Sequence, residues 1–375
     1  MNKKLVPIIA SLIVLILLLD KFYFLSVEER MEKQSLKEYE YIKNKNLEDT
    51  SIIKLGYLSI FIADFDTEKS EEILDRVIEI QKENGEISDN VNSKLSTGLC
   101  VFSLIYGYEK TGKEKYKEAA LKGGDFLIAE IEEWKATNEI KITEISKNAR
   151  HEGDPKSSLE CYYWTSPNDL GIMALGLGAL APYNTKYSDY ARELGDALYS
   201  MQLKNGGWYD GYTQIPVRRD QSSWYVVMAM LGMWQCYKNL GDERYLESLL
   251  EAENWFLNMW DGGSVYDILA YEENYNTSLS EGRVETSEDL RFDYKRYEET
   301  NERDYAASSE YTYYYGEHSF LLAESLLINL GIKVDEEKLK LTFDHILKNR
   351  DEDPSNWFLL SLWLVRNREL EQKNV

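Results

Sequence analysis

The stretch LGIMALGLGALA, from Leu170 to Ala181, decides the fold of this chain. It carries no charged residue and has no polar face, so as a helix it would have to be enclosed by other helices on every side. It is also too short to cross a bilayer, which needs about 20 apolar residues. A buried helix inside a larger helical assembly is therefore predicted.

Five further segments are apolar nearly all round. They are IIKLGYLSIFIA (52–63), TGLCVFSLIYG (97–107), SSWYVVMAMLGMWQCY (222–237), HSFLLAESLLINL (318–330) and NWFLLSLWLV (356–365). Amphipathic segments alternate with them, with apolar residues at the three-and-four spacing of a helix that has one side in water. These cover 28–44, 71–81, 114–133, 187–202, 242–259 and 335–349. Strict alternation of the two classes predicts six helical hairpins.

The connections between the segments repeat. YEKTGKEKY (108–116) recurs as YKNLGDERY (237–245), each time between an enclosed helix and an amphipathic one. QKENGEI (81–87) recurs as QLKNGGW (202–208), each time after an amphipathic helix. Self-similar helical pairs either stack in a line or close on themselves, and an enclosed inner set favours closure.

One of these connections resembles a known motif. Gly195, Leu198, Gln202, Gly206 and Trp208 stand at the spacing of the QW motif of terpenoid-cyclase-like proteins. Over about residues 28–366 the organisation resembles the (α/α)6 toroids, which include the six-hairpin glycosidases. The resemblance implies an all-α (α/α)6 toroid in which the glutamine and tryptophan tie an outer helix to the next loop. The Asp-x-Asp-Asp motif of class II terpene cyclases is absent from the sequence, which disfavours a cyclase.

The composition and motifs of the sequence exclude several classes of binding partner. The chain has 43 Lys and Arg against 66 Asp and Glu, a formal net charge of −23 that repels nucleic acid. Cys100, Cys161 and Cys236 are widely spaced, which is typical of buried free thiols. No two histidines have the spacing of a zinc pair and no phosphate-binding loop occurs, so neither a metal nor a cofactor is expected. No pattern indicates a protein partner.

The amino terminus carries a run long and apolar enough to span a bilayer, LVPIIASLIVLILLL at 5–19 followed by FYFL at 22–25. Large aromatic residues stand where a cleavage site would need small ones, which favours an uncleaved anchor. Lysines precede the run and glutamates follow it, which places the amino terminus in the cytoplasm. We expect a single-pass signal-anchor within 1–27, in contact with the cell membrane through 5–25, and an extracytoplasmic toroid over 28–375.

The resemblance implies a funnel at the end where the inner helices begin. Long connections at about 134–164 and 260–312 reach that end, and connections above about 15 residues are usually functional or disordered. Aromatic rings have flat apolar faces that complement sugars. We expect a saccharide cleft lined by aromatic residues near the inner helix starts, with core packing as an equal alternative for Trp224. The candidates are Tyr162, Tyr163, Trp164, Trp208, Tyr209, Tyr212, Trp224, Tyr313, Tyr314, Tyr315 and Trp357.

Carboxylates near the inner helix starts suggest the reaction. Glycoside hydrolysis needs one acid to protonate the leaving oxygen and a second to activate water or attack. Asp169 and Asp220 are the favoured pair and Glu317 is the third candidate, with helix capping as the alternative for each. Asp169 also resembles the aspartate that opens an inner helix in unsaturated uronyl hydrolases, which implies a role as acid and base.

Other functions remain open at this point. Arg218 and Arg219 suit the carboxylate of a uronate, or pair with surface acids. On a uronate, His318 and one of the tyrosines at 313–315 would act as acid and base of a lyase or C5-epimerase. A toroid can also keep its cleft and lose its acids, which would leave a glycan-binding or assembly protein. The sequence favours a membrane-anchored glycoside hydrolase among these.

Overall fold

A computed structural model describes most of the chain between residues 25 and 368. The described ranges are 25–48, 50–88, 93–138, 166–203, 205–208, 223–261, 311–349 and 353–368. Within these ranges the chain forms twelve α-helices and no strand, which confirms the all-α prediction.

Two classes of helix alternate along the chain. The amphipathic class comprises α1 Val27–Ile42, α3 Thr67–Ile80, α5 Glu114–Asn138, α7 Thr185–Met201, α9 Glu243–Asp261 and α11 Glu336–Asn349. The enclosed class comprises α2 Ile52–Ile62, α4 Ser93–Thr111, α6 Pro167–Leu180, α8 Ser223–Leu240, α10 Tyr311–Asn329 and α12 Asn356–Arg366.

The enclosed helices form an inner ring. In α6 every residue from Leu170 to Leu180 is buried, as the lack of a polar face requires. Each inner helix packs against the next one along the chain, and α12 packs against α2, so the ring is closed. Each inner helix also packs against at least one amphipathic helix outside it. The described residues therefore form the predicted (α/α)6 toroid.

The sixth helical pair joins helices from opposite ends of the chain. From α3 onward each outer helix packs against the inner helix that precedes it, whereas α1 packs against α12. Met31 of α1 is fully buried in the common core. Arg30 of α1 forms an ion pair with Asp344 of α11, and Glu32 lies 2.8 Å from Arg368, which follows α12. The ring is therefore completed by α1 and α12.

Two matching braces occupy the repeated QxxNG connections. The Gln81 side chain donates to the carbonyl oxygen of Gly85 at 3.1 Å and to that of Ala119 in α5 at 2.9 Å. Gln202 donates in the same way to Gly206 and to a carbonyl of α9, both at 2.8 Å. One side-chain amide, half-buried at Gln81 and fully buried at Gln202, thus ties each connection to the next outer helix.

Trp208 belongs to the second brace. It is fully buried, and its indole N–H donates to the carbonyl oxygen of Leu198 at 2.8 Å. Ile87 is equally buried at the corresponding place in the first copy. The structural role that the QW resemblance implies is confirmed. The expectation that Trp208 lines the cleft does not hold, because an indole without exposed surface cannot stack on a sugar.

A second type of brace recurs three times on the outer ring. A tyrosine in the first turn of one outer helix donates to an aspartate of the preceding outer helix, and the cation before each tyrosine pairs with the same aspartate. The pairs are Tyr116 with Asp75 at 3.2 Å, Tyr187 with Asp125 at 2.8 Å and Tyr245 with Asp196 at 3.0 Å. The cations are Lys115, Lys186 and Arg244. The final tyrosines of the two repeated turns are therefore structural.

Aromatic and polar contacts occupy the ring near the end where the inner helices finish. The rings of Phe102, Trp234 and Trp363 meet edge-on, with centroids 6.0 to 6.4 Å apart. Next to them the Tyr106 hydroxyl donates to Asp64 at 2.7 Å. These contacts favour ligand access from the opposite end, where the inner helices begin. That end is called the funnel end below.

Several boundaries differ from those expected. Helix α5 continues to Asn138, into the long connection expected at 134–164. The connection expected at 260–312 is shorter at both ends, because α9 reaches Asp261 and α10 begins at Tyr311. The aromatic run before the inner helix is thus the start of that helix.

Two expectations concern residues that lie partly outside the described ranges. The apolar run at 5–25 lies outside them except for Leu25. Among the helices that are described, none has the length and apolarity that a membrane span requires. Cys100 and Cys236 are buried and are not joined in a disulfide, as predicted, and Cys161 lies outside the described ranges.

We expect Gly206→Ala to lower the free energy of unfolding more than Gly241→Ala does. Both glycines have positive φ, 89° and 65°, where alanine costs about 1–2 kcal/mol. A Cβ at Gly206 would also lie 1.9 Å from the carbonyl oxygen of Glu251, whereas no atom of the described residues lies within 4 Å of a Cβ at Gly241. The extra loss should be about 1–3 kcal/mol in urea denaturation. Equal losses would show that the brace tolerates a side chain there.

Candidate functional site

Serine residues cap the N-termini of three inner helices at the funnel end. The side chains of Ser51, Ser166 and Ser355 each accept a backbone N–H from the first turn of α2, α6 and α12, at 3.2 to 3.4 Å. Capping is therefore not the role of Asp169, because Ser166 caps α6 and Asp169 lies in the first turn. Its carboxyl group is half-buried.

Asn168 connects Asp169 to a neighbouring inner helix. Its side-chain oxygen accepts the indole N–H of Trp224, in the first turn of α8, at 3.0 Å. Its side-chain nitrogen donates to a carboxylate oxygen of Asp169 at 3.4 Å. One amide therefore positions an indole and a carboxylate that come from adjacent helices of the ring.

Trp224 also stacks on Trp357, and these two residues are called the tryptophan platform below. Their ring centroids lie 4.3 Å apart with the planes inclined by 28°. Trp357 is buried, whereas Trp224 is half-buried and keeps exposed surface. Trp357 also hydrogen-bonds to the hydroxyl of Tyr57 in α2, whose pKa is raised by burial. The platform is thus supported from α2, α6, α8 and α12.

His318 lies at the same end, on α10. Its Nδ1 is 3.1 Å from the hydroxyl of Ser355, and its ring meets Phe358 edge-on. Burial lowers the pKa of His318 to about 4. The imidazole is therefore neutral near pH 7, where it can accept a proton but is not charged to donate one.

Glu317 faces away from the funnel. Its Oε1 lies 2.6 Å from Nδ1 of His345 on the outer helix α11, and its side chain is only 9% exposed. Adjacent helical residues point about 100° apart, so His318 contacts α12 while Glu317 lies between the two rings. The hypothesis that Glu317 is a catalytic acid is not supported by this position.

The side chains of the remaining candidates lie outside what the structure describes. Residues outside the described ranges are Tyr162, Tyr163, Trp164, Tyr209, Tyr212, Arg218, Arg219 and Asp220. The backbone of Tyr313, Tyr314 and Tyr315 is helical within α10, and no contact of their side chains is described. The pairing of Asp169 with Asp220 and the role of the arginines therefore stay predictions.

Sequence reasoning assigned no role to Asn168, Tyr57 or Ser355. Ser355 directly precedes an apolar helix, which is a recognisable capping signal. Asn168 follows the serine cap of α6 by two residues, and only its neighbour across the ring shows what it binds. Tyr57 lies within an apolar run, where nothing in the local pattern marks it.

The described arrangement combines an indole surface, a carboxylate fixed beside it and a neutral imidazole. The indole can stack on the flat face of a ligand. The carboxyl group can donate a proton when it is protonated and accept one when it is ionised, and the imidazole can accept one. The residues that form this arrangement, or support it, thus lie at the funnel end and come from five of the six inner helices.

We expect protonation of His318 to destabilise the fold. The pKa of His318 is about 4 in the folded protein and about 6.5 in the unfolded chain. The contribution of its neutral imidazole to the free energy of unfolding is therefore complete above pH 6.5 and is lost as the pH falls towards 4. The difference corresponds to about 3 kcal/mol. His318→Gln, which cannot be protonated, should flatten the decline in the free energy of unfolding between about pH 7 and pH 4. Identical slopes for both proteins would contradict the assignment.

Comparison with known proteins identifies the fold. No protein-family model and no curated protein sequence matches the chain. A sugar epimerase from a ruminal bacterium matches with a TM-score of 0.51 and 12% identity, over 86% of this chain and 88% of that one. A glycoside hydrolase from family 105 of C. acetobutylicum ATCC 824 matches with a TM-score of 0.50 and 11% identity, over 89% of this chain and 99% of that one. The beta-1,3-1,4-glucanase from Paenibacillus sp. X4 matches with 0.50 and 10%, over 91% and 92%. The chain shares the (α/α)6 toroid fold of these enzymes.

Proposed function

We propose that the protein is a carbohydrate-active enzyme that hydrolyses a glycosidic bond at the funnel end. One observation carries this proposal. The side-chain amide of Asn168 hydrogen-bonds both to the indole of Trp224 and to the carboxylate of Asp169. A sugar stacked on the tryptophan platform would have a proton donor or acceptor next to its ring. A glycoside hydrolase and a glucanase among the solved structures of this fold support the proposal.

In this proposal Asp169 is the general acid and base, and Asp220 is the second carboxylate. Asp220 stands four positions before Trp224, which contacts the neighbour of Asp169. Two carboxylates near one sugar are what hydrolysis requires.

His318 favours a second candidate, a uronate lyase or C5-epimerase. A neutral imidazole at the funnel end can accept the proton at carbon five of a uronate. A sugar epimerase among the solved structures of this fold supports this alternative. Elimination would leave a double bond that absorbs in the ultraviolet, whereas hydrolysis would release a sugar without one. Binding to the platform without either product would leave the role of a glycan-binding protein.

We expect Asp169→Asn to reduce turnover by at least about 100-fold, because it removes general acid–base catalysis. The full-length protein would be offered neutral and uronic oligosaccharides, with released sugar and ultraviolet absorbance as readouts. Asp189→Asn, at an exposed position on the outer helix α7, is the matched control and should keep full activity. Full activity of Asp169→Asn would contradict the catalytic assignment. Trp224→Ala should weaken substrate binding.

We also propose that residues 1–27 anchor the toroid outside the cell membrane, which the apolar run at 5–19 supports. The full-length protein is expected to stay with the membrane fraction at alkaline pH and to dissolve only in detergent. Protease added to intact cells should digest the toroid, which lies outside in this proposal. A soluble form shortened by this segment would contradict an uncleaved anchor.

A further inference from the structure

A pocket of about 460 Å³ lies at the funnel end, beside the contact between α12 and α2 that closes the ring. Its walls are the connection from α1 to α2, the first turns of α2 and the residues that lead into α12. It is called the seam pocket below. Its volume lies in the range of small-molecule sites.

Two lysines in the seam pocket share one carboxylate. Nζ of Lys45 lies 2.7 Å from Oδ1 of Asp353, and Nζ of Lys54 lies 2.5 Å from Oδ2. Burial opposes ionisation of Asp353, and the two lysines overcome it and hold the pKa of this carboxyl below its usual value. The described lining residues thus carry two positive charges against one negative charge, in a chain whose net charge is −23.

We infer that the seam pocket binds the carboxylate of an acidic saccharide. The lysine pair is already spaced to hold one carboxylate, with one ammonium group on each oxygen, and it keeps an unbalanced positive charge. Ser51 adds a hydroxyl group for a sugar, and Asn46, whose amide also bonds to the backbone and carboxylate of Glu48, adds its second amide N–H. Leu58 and other apolar side chains give a surface for its C–H face. A ligand carboxylate would share the lysines with Asp353 or replace it.

The segment 353–357 separates the seam pocket from the tryptophan platform. Asp353 lines the pocket, Ser355 contacts His318 and Trp357 stacks on Trp224. An acidic polysaccharide lying across the seam would place one unit on the platform and another in the pocket. This arrangement rests on the proposed function, whereas carboxylate binding in the pocket does not.

The test measures binding of glucuronate and of glucose by calorimetry at low salt. Asp353→Asn frees both lysines and should bind glucuronate at least about tenfold more tightly than the unaltered protein. Lys45→Met combined with Lys54→Met should abolish binding, and Lys54→Met alone, which keeps one ion pair, should weaken it. Lys115→Met removes a similar lysine–aspartate pair on the outer ring and is the matched control. Glucose should not bind to the pocket.

Three results would overturn the inference. They are equal affinity of all variants for glucuronate, no glucuronate binding by either the unaltered protein or Asp353→Asn, and competition by inorganic phosphate as effective as that by glucuronate. Trp224→Ala separates this inference from the proposed function. It should leave glucuronate binding in the pocket unchanged even if it abolishes turnover, so failure of one proposal does not decide the other.

Discussion

The contact between α12 and α2 is the constraint on which the rest of the structure depends. Six helices without a polar face are protected from water only when their ring is closed, because an open ring would expose the sides of two of them. Helix α12 closes the inner ring and α1 covers it from outside. The ion pairs beside this contact, from Lys45 and Lys54 to Asp353, are partly exposed and contribute about 0–1 kcal/mol each. Burial of apolar surface, rather than charge, therefore closes the ring.

Side-chain braces fix the outer helices on this closed ring. Glutamine and tyrosine braces tie α3, α5, α7 and α9 to one another. Farther along, Glu324 of α10 is fully buried, and neither of its carboxyl oxygens has a hydrogen-bond partner among the described residues. Burial, and then Glu253 of α9 and Asp335 before α11, raise the pKa of Glu324. An unsatisfied buried polar group costs about 1–3 kcal/mol, which makes this part of the toroid less stabilised.

The same closed ring positions the chemistry. Because all inner helices begin at one end, residues that are far apart in the chain meet there. Asn168, Trp224 and Trp357 come from three helices and form one continuous contact. The residues before α12 take part on both sides of the seam, since Asp353 faces the seam pocket and Ser355 faces His318. The closed ring thus places the charged seam pocket and the aromatic tryptophan platform on either side of the segment 353–357.

The sequence by itself determined the number and order of the helices, the two classes and the glutamine brace, because burial pattern and turn chemistry are local properties. Only the tertiary structure decided which residues reach the funnel end. Glu317 and His318 are adjacent, yet one faces the outer ring and the other faces α12. Lys54 and Asp353 are 299 positions apart and form one ion pair. The physical reason is that local periodicity specifies which side of a helix is buried but not what lies across the ring from it.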